Sequence, residues 1–77
     1  MMDKITVGKT YQIKRLGRIA DKNYRYKLLS MGLMPGAQFE VTRVAPLGDP
    51  VELYINDFSL SLRLKELLQF ELEALNA

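Results

Sequence analysis

The chain has 77 residues, a length that predicts one domain spanning residues 1–77. It contains neither cysteine nor histidine, so disulfides and metal sites built on thiolate or imidazole ligands are excluded. The net charge is +2, but residues 1–43 carry nine cations against three acids, whereas residues 44–77 carry two cations against six acids. A basic face opposite an acidic one favours an acidic protein, phosphate groups or a membrane surface as partner, although two solvated faces explain the division equally well.

The membrane signals in the sequence are weak. No apolar run approaches the roughly 20 residues that span a bilayer. Residues 1–16 alternate apolar and charged side chains and lack the apolar segment of a signal peptide. The sequence therefore predicts a cytoplasmic protein.

The first predicted strand follows a glycine turn near the N-terminus. Tyr11 and Ile13 lie on one of its faces, and Gln12 and Lys14 lie on the other. Gly17 is expected where the chain leaves the sheet.

A helix is predicted over residues 21–31. Asp21 is its expected N-cap, because a carboxylate there accepts hydrogen bonds from the free N–H groups of the first turn. Gly32 stands where a helix needs a left-handed residue to end, and Leu33 is then expected to pack back on Leu28. The apolar stripe of this helix, spaced i, i+4 and i+7, consists of Tyr24, Leu28 and Met31.

A tight turn and a second strand come next. Pro35 and Gly36 occupy the central positions of a predicted type II turn, since proline presets φ and glycine readily takes a positive φ. A strand is predicted over residues 38–44. Val44 is out of phase with the other apolar residues of this strand, which indicates a bulge at residues 42–43.

Residues 45–50, here called the proline loop, are too rich in turn residues for regular structure. These turn residues are Pro46, Gly48, Asp49 and Pro50. Strands are predicted over residues 51–55 and 58–62, joined by Asn56 and Asp57 in a two-residue hairpin turn.

The last predicted elements are one helical turn over residues 63–68 and a strand over residues 69–75. Phe70, Leu72 and Ala74 are expected to face inward along that strand, with Glu71 and Glu73 facing outward. Together, the five predicted strands, one helix and one helical turn indicate a small all-β fold with one main helix. We expect an SH3-like five-stranded closed barrel, with the helix between the first two strands and the helical turn before the last strand. An OB-fold has the same number of strands, and only the connection lengths argue against it.

Three segments in this order resemble a known family over nearly the whole chain. They are residues 27–36 (KLLSMGLMPG), 44–50 (VAPLGDP) and 61–67 (SLRLKEL). The family is that of FeoA, the ferrous-iron transport protein A of bacteria. The family often has arginine where Lys27 stands, and lysine lacks the planar fork that grips a carboxylate or phosphate.

The resemblance implies an SH3-like fold and an accessory role in ferrous-iron uptake beside the membrane transporter FeoB, which hydrolyses GTP. It implies a cytoplasmic location, with recruitment to the inner face of the plasma membrane through that partner. The family also resembles the SH3-like regulatory domains of iron-dependent repressors, which is an alternative. Weak self-association, and whether the partner is activated or inhibited, are left open.

The sequence contains few residues that could support catalysis or metal binding. The serines have no imidazole to activate them, and Asp49 and Glu66 are expected to be a turn residue and a surface charge of the short helix. Ferrous sites usually combine imidazole with carboxylate, so we expect no iron site, no cofactor and no enzymatic activity.

Nucleic acid is the second alternative for a partner. The cations of the helix and its surroundings, with two tyrosines to stack on bases, favour it. These residues are Lys22, Arg25 and Lys27, then Arg15, Arg18 and Arg43, and Tyr24 and Tyr26. The acidic second half and the low net charge argue against it, so no nucleic-acid partner is expected.

Protein binding is the function that the residues favour most. Apolar residues at the helix end, the turn and the proline loop exceed what so small a core needs, namely Leu29, Leu33, Met34 and Leu47. The cations Lys22, Arg25 and Lys27 could steer an acidic partner toward them. The alternative is that all four apolar residues pack inward.

Overall fold

The computed structural model describes residues 5–17 and 21–75, which form five strands and two helices. In chain order these are β1 (Thr10–Arg15), α1 (Lys22–Ser30), β2 (Gln38–Val44), β3 (Val51–Ile55), β4 (Phe58–Leu62), α2 (Leu64–Leu67) and β5 (Glu71–Ala74). The predicted fold class is confirmed: α1 lies between the first two strands and α2 precedes the last. Neither helix is long and apolar enough to cross a membrane. Arg18, one of the cations considered for nucleic-acid binding, lies outside the described residues.

The five strands form one antiparallel sheet in the order β4-β3-β2-β1-β5. The prediction of a closed barrel is wrong in this detail, because β4 and β5 stand at the two ends of the sheet. Only Arg63 separates β4 from α2, so the chain turns away from the sheet at once. Strand β5 is four residues long and pairs with β1.

The core consists of buried apolar side chains from strands β1 to β4, from both helices, and from the segments that follow each helix. Its members are Tyr11, Ile13, Leu28, Leu33, Phe39, Val41, Val51, Leu53, Ile55, Leu62, Leu67 and Phe70. The rings of Tyr11 and Phe39 stack with their centroids 5.8 Å apart. The expectation for β5 is only partly met, since Phe70 is buried and Leu72 half-buried but Ala74 is exposed.

Both predicted ends of α1 are confirmed. The Asp21 carboxylate accepts hydrogen bonds from the backbone N–H groups of Asn23 (2.9 Å) and Tyr24 (3.3 Å). At the other end Gly32 has φ +92° and donates to the Leu29 carbonyl. The Leu33 N–H donates to the Leu28 carbonyl at 3.0 Å. These two bonds are those of a Schellman motif, which ends the helix and directs Leu33 into the core.

The turn and bulge that flank the start and middle of β2 are also confirmed. The Ala37 N–H donates to the Met34 carbonyl at 2.9 Å, and Gly36 has φ +92°, as a type II turn requires. The register of β2 against β3 shifts between Val41 and Arg43. This bulge brings Val44 back into partial contact with the core.

The hairpin turn between β3 and β4 has both central residues in the left-handed region, with φ 52° at Asn56 and 68° at Asp57. This is the geometry of a type I′ turn, whose twist matches that of the flanking strands. Short polar side chains tolerate that conformation, so the predicted hairpin is confirmed.

Candidate partner-binding site

The proline loop holds one leucine almost entirely in solvent. Leu47 is 96% exposed, whereas most other leucines of the described residues are buried or half-buried. The loop around it is closed by hydrogen bonds from Gly48 N–H to the Ala45 carbonyl (2.8 Å) and from Ala45 N–H to the Pro50 carbonyl (3.1 Å). An apolar side chain is therefore presented on a backbone that is fixed on both sides.

Asp49 fixes this loop to the rest of the fold. Its Oδ1 accepts a hydrogen bond of 2.8 Å from the backbone N–H of Leu64, the first residue of α2. The carboxylate satisfies one of the free N–H groups that begin a helix, and it does so from fifteen residues away in the chain. The expectation that Asp49 serves only its own turn was therefore too narrow.

We expect Asp49→Ala to lower the free energy of unfolding by about 1 kcal/mol, the usual cost of losing a helix cap. Asp49→Asn keeps an acceptor oxygen and serves as the matched control, with a smaller loss expected. Urea unfolding followed by circular dichroism measures both. Equal stability of Asp49→Ala and the unchanged chain would contradict this role of the carboxylate.

The outward face of α1 is the second feature of the candidate site. Its residues line an open groove and are spaced i, i+3, i+4 and i+7: Lys22, Arg25, Tyr26 and Leu29. The Tyr26 side chain is 74% exposed. Within the described residues the two ion pairs join β1 to β5, so Lys22 and Arg25 take part in none. This groove combines free positive charge with apolar surface.

A contact between α1 and α2 orients the helix. Burial and a hydrogen bond to the Glu66 carboxylate raise the pKa of the Tyr24 phenol to about 12. Glu66 Oε1 also accepts a hydrogen bond of 3.2 Å from the Arg63 N–H. Glu66 is thus a capping residue and an acceptor for Tyr24, not only a surface charge. At neutral pH the phenol stays protonated and acts as a donor.

The predicted binding residues occupy different environments. Leu33 is fully buried, so its side chain belongs to the core and is not available to a partner. Met34 is 44% exposed, Leu29 is half-buried, and the three α1 cations are exposed. The inward-packing alternative therefore holds for Leu33 and fails for Leu47.

The structure does not bring the helix end and the proline loop together. A Cβ on Gly32 would overlap the side-chain amide of Asn56, which places the helix end beside the β3–β4 turn. The proline loop precedes the other end of β3. A strand of five residues lies between them, which separates the two by roughly 15–20 Å. The first turn of α1 lies instead at the loop's end of the sheet, since Tyr24 contacts Glu66 of α2 and Asp49 joins α2 to the loop.

Two residues have structural roles that were not predicted from the sequence. Tyr26 lines the groove on the outward face of α1, and Gly17 lies against the backbone of Gln69. Tyr26 was considered only for base stacking, although the spacing of Lys22, Arg25, Tyr26 and Leu29 marks one helix face. Gly17 was read as an exit from the sheet, but a Cβ there would overlap the backbone carbonyl of Gln69. No signal in a single sequence points to that second contact, because its partner is distant in the chain.

The described residues contain no group of three or more acids that could hold a metal ion. Glu71 and Glu73, the pair on the last strand, contact β1 instead. Arg15 Nε lies 3.0 Å from Glu71 Oε1, and Lys14 Nζ lies 3.2 Å from Glu73 Oε1. Both pairs are exposed, and such pairs contribute little to stability.

Comparison with known proteins points to one family. A family model for the FeoA domain matches residues 1–71. A fusion protein of Fe(2+) transport protein A and the Fe(2+) transporter FeoB from Porphyromonas gingivalis is 35% identical over 54 residues. That match covers 70% of this chain and only 6% of the much longer fusion protein.

Solved structures agree with that comparison. Iron(II) transport protein A from Clostridium thermocellum has a TM-score of 0.80 and 35% identity, over 92% of this chain and 43% of that one. The FeoA protein from Chlorobium tepidum has a TM-score of 0.82 and 30% identity, over 95% of this chain and 68% of that one. The match to the family model covers almost the whole sequence and the fold agrees with these structures, so the chain belongs to the FeoA domain family.

Proposed function

We propose that this protein is a non-catalytic accessory protein of ferrous-iron uptake, which binds the cytoplasmic part of a FeoB-like, GTP-hydrolysing iron transporter. Membership of the FeoA family supports a role in ferrous-iron transport. The Porphyromonas gingivalis relative carries transport protein A and the transporter FeoB in one polypeptide, which supports association of the two. The protein acts in the cytoplasm and reaches the inner face of the membrane through its partner.

The observation that carries this proposal is the exposure of Leu47 on the proline loop. Full burial of a leucine side chain at an interface contributes about 1.5–3 kcal/mol. Its loop is already fixed by Asp49, Gly48 and Ala45, so binding orders little further backbone. A fixed, apolar side chain in solvent is the kind of anchor around which protein interfaces form.

The cations of α1 supply the second part of the proposed site. Lys22 and Arg25 flank Tyr24, whose phenol donates a hydrogen bond to Glu66 of α2. Neither takes part in an ion pair within the described residues. Long-range attraction of an acidic surface to these cations accelerates association more than it slows dissociation. Leu29, Met34 and Lys27 were also predicted to contact the partner, and their part in the interface stays a prediction.

In the proposed role, the transporter binds the ferrous ion and this protein binds the transporter. The chain has no histidine or cysteine, and the described acids form no cluster for a cation. The chemistry of the side chains therefore favours a protein that binds the transporter over one that carries the ion.

The test is retention of the transporter by the tagged chain. We expect a FeoB-like transporter from detergent-solubilised membranes, and its isolated GTP-hydrolysing domain, to be retained. The measurement is repeated with GTP and with GDP, which reports whether binding depends on the nucleotide. Nuclease treatment controls for bridging by nucleic acid. Failure to retain the transporter in both nucleotide states would contradict the proposal.

A further inference from the structure

Strand β4 is an edge of the sheet whose outward backbone groups are free. The two residues that flank a two-residue hairpin turn exchange hydrogen bonds, so Ile55 with Phe58 is a bonded pair and every second pair after it is too. The N–H and C=O groups of Ser59 and Ser61 therefore point away from β3. Within residues 5–17 and 21–75 these groups have no hydrogen-bond partner.

The two edges of the sheet differ in how they resist pairing with another chain. Strand β5 carries Glu71 and Glu73, each in an ion pair with β1, and charges of this kind discourage strand addition. Strand β4 reads Phe-Ser-Leu-Ser-Leu and contains neither a charge nor a proline. It is therefore the unprotected edge.

A cleft runs along β4, with α1 as its far wall. Apolar side chains line it from both sides: Met31, the residue that caps the C-terminal end of α1, and Leu60 and Leu62 from the strand. Lys27 and Arg63 contribute two cations, and neither takes part in an ion pair among the described residues. The one acid of the cleft, Glu66, already accepts hydrogen bonds from Arg63 N–H and Tyr24.

We propose that β4 binds an extended, acidic peptide segment of a partner protein as a sixth strand. The backbone of the segment pairs with Ser59 and Ser61, and its acidic side chains meet Lys27 and Arg63. A second copy of the chain is the competing occupant, and the dependence of the test on protein concentration distinguishes it from a partner segment. The site is formed by other residues than the Leu47 anchor and does not depend on the proposed function.

The test uses a capped peptide of alternating valine and glutamate, titrated into the ¹⁵N-labelled full chain. We expect saturable shifts of the Ser59 and Ser61 amide signals and slower hydrogen exchange at both. A peptide with lysine in place of glutamate should bind about tenfold more weakly or not at all. Absence of shifts at Ser59 and Ser61, or equal binding of the lysine peptide, would overturn the proposal.

Two variants separate strand pairing from charge. Ser61→Pro removes an N–H that points outward, which an edge strand tolerates, so the protein should stay folded and lose the peptide. Lys27→Gln combined with Arg63→Gln should weaken binding about tenfold without affecting the fold. Undiminished binding by either variant would refute the corresponding contact.

Two controls complete the experiment. A peptide N-methylated at alternate residues cannot pair with the edge, and it tests pairing without any change to the protein. Leu47→Asp should bind the peptide normally, which separates this site from the transporter contact. Protection of the Ser59 and Ser61 amides that rises with protein concentration alone would overturn the proposal in favour of a second copy.

Discussion

Gly17→Ala is expected to lower the free energy of unfolding by about 2–3 kcal/mol, near the upper end of what overpacking costs. A Cβ at this position overlaps the carbonyl oxygen of Gln69, a backbone atom that cannot move aside as a flexible side chain does. Gln69 lies between α2 and β5. Its displacement therefore disturbs the buried Phe70 and the pairing of β5 with β1.

Gly36→Ala is the matched control for this substitution. Gly36 has φ +92° with no atom near an added Cβ, so its alanine variant costs about 1 kcal/mol through backbone strain alone. Urea unfolding of both variants, monitored by circular dichroism, compares the two effects. Small domains have marginal stability, so the larger loss should shift the midpoint clearly. A smaller loss for Gly17→Ala than for Gly36→Ala would contradict the close approach to Gln69.

The contrast between these glycines also explains which parts of the fold the sequence predicts. The turn at Gly36, the helix ends at Asp21 and Gly32 and the hairpin at Asn56 depend on neighbours a few residues away. Their signals therefore lie within short segments, and all were predicted. Gly17 needs Gln69, and Asp49 needs Leu64, across long stretches of chain. Such contacts leave no local pattern.

The closure of the sheet was mispredicted for a related reason. Five short strands with tight connections are typical of a closed barrel. A barrel closes only if the two edge strands of the sheet, here β4 and β5, pair with each other. In the part of the chain that the structure describes, β5 pairs with β1 and β4 pairs with β3, and β4 and β5 do not pair with each other. The free edge of β4 is the consequence, and it creates the cleft beside α1.

Within the candidate site, the sequence predicted which apolar residues were involved but not whether each side chain is buried or exposed. Leu33 follows a glycine and Leu47 precedes one, and both were predicted to be available to a partner because the core did not need them. The Schellman motif directs Leu33 into the core, whereas the closed proline loop directs Leu47 into solvent. The difference comes from backbone direction after each turn, which residue type alone does not determine.

Leu47→Asp is expected to weaken binding to the cytoplasmic part of a FeoB-like transporter by at least roughly thirtyfold, the loss typical of an interface hot spot. The new carboxylate would need to be buried without a partner at the interface. The fold should be unaffected, because Leu47 makes almost no contact with the rest of the chain. Surface plasmon resonance measures the affinity, and circular dichroism with thermal melting checks the fold.

Met34→Asp and Arg25→Glu locate the interface more closely. Met34 lies at the far end of β3 from the proline loop, so its substitution should weaken binding much less than that of Leu47. Arg25→Glu should slow association in low salt and change dissociation little, because exposed charge acts mainly on the encounter. Unchanged affinity of a folded Leu47→Asp variant would place the docking surface elsewhere. An equal loss for Met34→Asp would show instead that the partner contacts both ends of the sheet, as an extended interface requires.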